Sequence, residues 1–334
     1  MSAPQIWRLA DSDPDFERDP NFALAVRLLG VGKLVAIPTE TVYGLAADAT
    51  NGAAVAAIYA AKERPRFNPL ICHVDSVESA RRYGVFPPAA NLLARHFWPG
   101  PLTLVVPKAA GSPVADLVTA GHDSIALRVP ASPVMRALSR ALGAPIAAPS
   151  ANRSGRISAT SAAAVESELG ERVAMIIDDG PSPVGVESTI VALVDDTPRL
   201  LRPGGLSREE IEAVLGRALA GVSPGADETR PLAPGMLTSH YAPGATVRLD
   251  ATEVRPDEAL LAFGPDSIPG SEACLAVRNL SPSGDLAEAA QNLFAGLRAL
   301  DETGAGRIAV APIPSTGLGE AINDRLKRAA APRG

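Results

Sequence analysis

The chain has 334 residues, 46% of them hydrophobic and 20% charged, with a formal net charge of −6. That length favours two cores over one, and the composition is that of a folded protein rather than a disordered one. The acidic balance and an aromatic content of only 4% argue against a nucleic-acid-binding module, which normally shows a basic excess and stacking side chains.

Cys72 and Cys274 are far apart and neither has a partner at metal-ligand spacing, so no structural zinc site is expected. The N-terminal residues, with Asp11, Asp13, Asp15 and Glu17, lack the basic-then-apolar order of an export signal. No apolar run approaches the roughly 18 residues needed to span a bilayer. The expected location is cytoplasmic, with no membrane partner.

In chain order, residues 21–32 have helical spacing and end on glycines. Residues 34–38 read as a short buried strand running into the polar turn Thr39-Glu40-Thr41. The Ala-rich stretch from Gly52 to Glu63 predicts a helix that must stop before Pro65. Residues 70–74 form the next strand, with further strands at 102–107, 124–129, 145–148, 173–178 and 188–194. Helices are expected at 88–97, 132–142 and 160–169. Some strands follow one another directly, which fits an α/β (α+β mixed) fold, a twisted mixed sheet with helices packed on it.

From about 206 the texture changes. A helix at 207–219 leads into a stretch to 245 rich in Gly, Pro, Ala and Ser, including Pro224-Gly225, Pro234-Gly235 and Pro243-Gly244. By composition this is a linker. Beyond it, strands at 258–263, 273–277 and 308–312 with helices at 284–300 and 318–330 predict a small second α/β domain. The expected division is 1–206, a linker segment 207–245, and 246–334.

Several segments could carry chemistry. Lys62, Arg64 and Arg66 lie just past the second helix in a loop stiffened by Pro65 and Pro69, and Glu63 is placed to orient one of them. Arginine forks and a mobile lysine suit phosphate oxygens, while a solvated helix end with cations on its dipole explains the charges equally well. Pro149-Ser150-Ala151-Asn152 follows an apolar strand, where polar groups meet ligands at a sheet edge, although a plain turn accounts for it too. Gly185-Val186-Glu187-Ser188-Thr189 and Leu201-Arg202-Pro203-Gly204 are open to the same two readings. His73 sits within a strand, and a satisfied core histidine competes with a ligand role. His240-Tyr241 is an aromatic pair in a small-residue linker and needs a cleft in which to dock. The common phosphate, dinucleotide and metalloprotease motifs are absent. The residues alone go no further than a cleft with basic and hydroxyl groups suited to a phosphorylated ligand.

Taken in order, Pro38-Thr39-Glu40-Thr41-Val42-Tyr43-Gly44-Leu45, Lys62-Glu63-Arg64-Pro65, Asn68-Pro69-Leu70-Ile71 and Trp98-Pro99-Gly100-Pro101-Leu102-Thr103 resemble the YrdC-like family. So do Ile125-Ala126-Leu127-Arg128-Val129-Pro130, Pro149-Ser150-Ala151-Asn152, Gly185-Val186-Glu187-Ser188-Thr189 and Leu201-Arg202-Pro203-Gly204. The segment Ser239-His240-Tyr241-Ala242-Pro243 and the tail from Gly317-Leu318-Gly319 to Asp324-Arg325-Leu326 resemble its longer, two-domain Sua-type members, with a Rossmann-like C-terminal domain.

The resemblance implies a nucleotidyltransferase that makes L-threonylcarbamoyl-AMP from L-threonine, bicarbonate or CO2, and ATP, releasing pyrophosphate. Downstream transferase proteins would use the product to modify the adenosine beside the tRNA anticodon, without a need for stable nucleic-acid binding here. By motif, Lys62 and Arg64 would meet the ATP phosphates as the catalytic pair. Asn68, Ser124, Ser150, Ser158, Arg202 and Tyr241 would line the nucleotide side. Thr41, His73, Arg128, Ala148 and Ser188 would hold threonine. Mg²⁺ is expected on the ATP phosphates, with no protein ligand assigned. The linker carrying Tyr241 would act as a lid that excludes water. Competing readings are an RNA-binding module and the carbamoyl-adenylating domain of another pathway. The latter normally comes with zinc-binding segments, and no CxxC pair exists here.

Overall fold

The computed structural model describes residues 3–11, 15–221, 231–234 and 240–332. Asp13 and much of the linker, including Pro224-Gly225, Gly235 and Ser239, lie outside the described residues. The strands of the first part are β1 (Gln5–Arg8), β2 (Val35–Ile37), β3 (Gly44–Asp48), β4 (Ile71–His73), β5 (Leu102–Pro107), β6 (Ser124–Arg128), β7 (Ile146–Ala147), β8 (Met175–Asp178), β9 (Thr189–Ala192) and β10 (Arg199–Arg202). Those of the second are β11 (Thr246–Arg248), β12 (Ala259–Ala262), β13 (Ala276–Asn279) and β14 (Arg307–Val310).

Among the described residues they form two sheets. The larger runs β1-β8-β2-β3-β7-β4-β6-β5-β9-β10. It mixes parallel pairs such as β4/β6 with antiparallel pairs such as β5/β6, as the sequence predicts. Strands β2, β4 and β6 are buried along their whole length, which is why they read as unbroken apolar runs rather than alternating ones. The smaller sheet, β11-β14-β12-β13, is entirely parallel.

The helices are α1 (Pro20–Gly30), α2 (Gly52–Lys62), α3 (Val77–Ala80), α4 (Pro88–Phe97), α5 (Asp116–Thr119), α6 (Pro133–Leu142), α7 (Ala162–Leu169), α8 (Arg208–Leu215), α9 (Leu286–Asp301) and α10 (Leu318–Ala330). Their starts follow local chemistry: the Asn51 side chain accepts from the amides of Ala53 and Ala54 to open α2, and Ser207 and Glu210 form a reciprocal capping box on α8. Helix α8 ends at Leu215, short of the expected 219, because Gly216 turns left-handed with φ 65°. None of the described helices is long and apolar enough to cross a membrane.

Two expectations need correcting. Lys62 is the last residue of α2 rather than a loop residue, and it is 1% exposed. A solvated helix end therefore does not describe it. The strand expected at 273–277 lies instead at β13, whose register is set by parallel pairing of Ala276 with Ala259. Leu275 and Val277 on this edge are 58% and 45% exposed, so the apolar run marked no buried strand.

The second domain's core does not stop at its own boundary. Val42, Ile157 and Val186 of the first domain and Tyr241 of the linker share one buried cluster with Leu261, Phe294 and Ile308. Gly185 explains how the chains come so close. Its φ is +77°, and a Cβ there would sit 2.3 Å from the Gln291 Cα on α9, so only glycine fits. This contact sets the 185–189 segment against the second domain.

Candidate active site

One cavity gathers most of the predicted site residues. The ends of β4, β6 and β10 bring His73, Arg128 and Arg202 to it. The turn after β2 adds Thr39 and Thr41, the segment after β7 adds Ala148, Pro149 and Ser150, and the lead into β9 adds Glu187 and Ser188. Arg64 comes from the loop after α2, and His240 and Tyr241 from the linker. The cavity measures about 50 Å³, room for a few waters at roughly 10–15 Å³ each. Tyr241, 1% exposed, and His240, 7% exposed, fill the space between the domains and keep it small.

The five residues expected to hold threonine, Thr41, His73, Arg128, Ala148 and Ser188, all line this cavity. Arg128 is fixed on three sides. Its guanidinium pairs with Glu40 Oε1 at 2.6 Å, donates through Nη1 to Thr41 Oγ1 at 2.9 Å and through Nε to the Gly100 carbonyl at 3.1 Å. Burial pushes the Glu40 carboxyl up, but Arg128 and the Ala131 amide more than offset this and hold it below its usual range. Such a braced guanidinium is suited to a ligand carboxylate. Burial, reinforced by Arg128, pushes the His73 ring down to about 3. The ring is therefore neutral at pH 7, and its Nδ1 is buried without a partner. Ser188 Oγ shares a hydrogen bond of 2.7 Å with Thr103 Oγ1.

Of the residues expected on the nucleotide side, Arg64, Ser150, Arg202 and Tyr241 line the cavity, whereas Lys62, Asn68, Ser124 and Ser158 do not. Lys62 lies directly behind it, its Nζ donating to the carbonyls of Ser150, at 2.5 Å, and of Asn152. Burial first, then Arg64, lowers the Lys62 ammonium well below its ordinary value. Arg64 donates to the carbonyls of Asn68 and Pro69, and burial brings it down to about 10. Arg202 donates from Nε and Nη2 to the Ser188 carbonyl at 3.2 and 2.8 Å. Asn68 keeps a buried, unpaired Oδ1 in the Arg64 loop. Ser158 donates to Glu187 Oε1 at 2.5 Å. Ser124 opens β6 at the end opposite Arg128, about 13 Å away at the strand's rise per residue.

Glu63 does not orient Lys62 or Arg64; it is exposed and pairs with Arg172 at 3.0 Å. Arg66 is exposed, a rim charge. Glu187 is the residue sequence reasoning passed over, although its motif was in view. Burial pushes its carboxyl up, yet Arg325, Arg202 and the Ser158 hydroxyl together hold it below the usual range. A carboxylate at the start of a buried strand was the available signal, since such a charge demands a cation.

Buried cations and hydroxyls at strand ends, closed by an aromatic strap from the linker, are chemically suited to a small carboxylate and an anionic phosphate group. That is the layout of a nucleotidyltransferase acting on a small substrate. A family profile described as "Telomere recombination" (Sua5, YciO and YrdC) matches residues 27–204, and one described as "Threonylcarbamoyl-AMP synthase, C-terminal domain" matches 206–331. The chain belongs to the Sua5/YciO/YrdC family, in its two-domain, Sua5 form. It is 38% identical to the threonylcarbamoyl-AMP synthase of Bacillus subtilis, over 98% of each chain. With the synthase of Pyrococcus abyssi it shares 41% identity, over 92% of this chain and 93% of that one. The crystal structure of P. abyssi Sua5 complexed with L-threonine superposes with a TM-score of 0.86 at 36% identity, covering 98% of both chains.

Proposed function

We propose that the chain makes L-threonylcarbamoyl-AMP from L-threonine, bicarbonate or CO2, and ATP, releasing pyrophosphate. The observation that carries this reading is the convergence of Thr41, His73, Arg128, Ala148 and Ser188 with Arg64, Ser150, Arg202 and Tyr241 on one cavity. Arg128 holds the threonine carboxylate. The threonine amine takes up CO2, loses a proton and becomes a carbamate. A carbamate oxygen then attacks the α-phosphorus of ATP while the bond from that phosphorus to the β-phosphate oxygen breaks and pyrophosphate departs. Positioning and charge neutralisation do most of this work. Lys62, Arg64 and Arg202 face the phosphate charge, with Lys62 exchanging its two carbonyl acceptors for phosphate oxygens. Mg²⁺ enters as part of the MgATP substrate.

A cavity of about 50 Å³ does not admit a nucleotide. The His240–Tyr241 strap therefore swings out to let ATP in and closes over it, which keeps water from the carbamate and the mixed anhydride. The reaction is placed in the cytoplasm, and its product passes to transferase proteins that modify the adenosine beside the tRNA anticodon. The test is pyrophosphate release from ATP, measured with threonine and bicarbonate added separately and together. Release requiring both is the expected result. Release with carbamoyl phosphate and none with threonine would instead make the chain a carbamoyl-adenylating enzyme.

A further inference from the structure

The tail segment containing Asp324-Arg325-Leu326 remains without a role in the reaction just described. Arg325 projects from α10 of the second domain and is fully buried, the largest such side chain among the described residues. Its Nε donates to Glu187 Oε2 at 3.0 Å, and its Nη1 donates to the Pro203 carbonyl at 2.5 Å and pairs with Asp324 at 3.0 Å. The guanidinium carbon stands 5.4 Å from the centre of the Tyr241 ring, which also stacks on Phe294 of α9 at 5.4 Å and meets the His240 ring edge-on at 4.1 Å. One side chain of the second domain thus grips three pieces of the first domain's cavity: the Glu187–Ser188 segment, the Arg202–Pro203 segment and the strap.

Each grip reaches a group expected on the substrates. Glu187 precedes Ser188 and accepts from Ser158 through its other oxygen, at 2.5 Å. Pro203 follows Arg202, which itself holds the Ser188 carbonyl. Tyr241 packs against the Arg325 cation and the Phe294 and His240 rings, contacts that orient its plane. A half-buried ion pair already ties α8 to α10, with Arg208 Nη2 2.6 Å from Glu320 Oε1. Tying the second domain down therefore does not require burying a charge beside Glu187 and Arg202, where its desolvation is costly.

We propose that Arg325 is a positioning residue for the first domain's site: acting through Glu187 and Tyr241, it sets Ser188, Ser158 and Arg202 for ATP and threonine, so that the second domain completes the site. The consequence for ATP rests on the reaction proposed above, whereas the consequence for the protein's own geometry does not.

The test compares Arg325→Met and Arg325→Lys with Glu320→Gln, which loosens the α8–α10 tie alone. Two readouts are taken on the full chain. The first is hydrogen exchange at the Gly205 and Ala242 amides, which bond the carbonyls of Glu187 and Gly155 at 2.9 and 2.8 Å. The second is the KM for ATP against kcat. Arg325→Met is expected to speed exchange at both amides and to raise the ATP KM about tenfold, the equivalent of one charge-assisted hydrogen bond. Arg325→Lys should restore part of both, and Glu320→Gln should change neither. The double variant Glu187→Gln/Arg325→Met removes the stranded carboxylate, so its melting temperature should recover while its ATP KM stays raised. Unchanged exchange and KM in Arg325→Met would overturn the proposal. So would equal effects of Arg325→Met and Glu320→Gln, or a wild-type KM in the double variant. Absence of threonine-dependent pyrophosphate release in the wild type counts against the proposed reaction, and the amide exchange still judges Arg325.

Discussion

Acidification from pH 7 to pH 5 should destabilise this protein well before its carboxylates titrate. His73 and His240 are both buried, and burial pushes each ring down to about 3. An unfolded histidine takes its proton near pH 6.5. Below that value the unfolded state therefore binds a proton that the native state refuses, so stability falls with pH until about 3. Integrated from pH 7 to pH 5, each ring contributes a loss of about 1.9 kcal/mol, close to 4 kcal/mol for the pair, out of a typical 5–15. Glu40 and Glu187 act in a lower window. Their carboxyls are held below the usual range, so their contribution is present above about pH 4.5 and lost as pH falls further. The assay is urea denaturation at half-unit pH steps for the wild type, His73→Gln and His240→Gln. The wild type should lose nearly two protons' worth of stability per pH unit near pH 5.5, and each variant about half of that. A flat profile between pH 6.5 and pH 5 would mean that burial does not hold the two rings neutral.

Arg128→Gln strands Glu40 in the interior, where its partner stands 2.6 Å away and both side chains are nearly buried; the expected loss is about 3–5 kcal/mol, read by denaturant midpoint. Adding Glu40→Gln should recover most of that stability but not threonine affinity, which separates the structural pair from the ligand contact. Gly185→Ala puts a methyl 2.3 Å from the Gln291 Cα at φ +77°, and a melting scan should show a loss of about 2–4 kcal/mol from backbone strain and overpacking together. Tyr241→Ala should lower turnover and raise hydrolysis of the adenylate, both measured by product chromatography; no change in either would remove the strap from the mechanism.

Regular parts of the fold were legible because local chemistry wrote them. The continuous apolar strand at 102–107 and the helices at 88–97 and 318–330 lie where the sequence predicts them. Short or edge elements were not legible. Strands β1, β10 and β11 and the single-turn helices α3 and α5 carry three or four residues each, too few to show a period. The slip at 273–277 has a related cause, since an exposed parallel edge takes its register from its neighbour rather than from its own hydrophobicity. At the site, the sequence offered residue types but not their company. That Lys62 is sealed against the Ser150 carbonyl and Asn152, some ninety positions on, depends on how α2 ends. The Glu187–Arg325 pair spans 138 positions. Only the packing of α9 and α10 against the first domain brings those two charges together.

In the proposed reaction one cavity joins threonine, one-carbon and nucleotide chemistry. The decisive measurement incubates the protein with ATP, threonine and isotopically labelled bicarbonate and reads the adenylated product by mass spectrometry. Threonylcarbamoyl-AMP carrying the label should form together with pyrophosphate and be lost in Arg128→Gln. An unlabelled adenylate, or labelled product formed without threonine, would contradict that reaction.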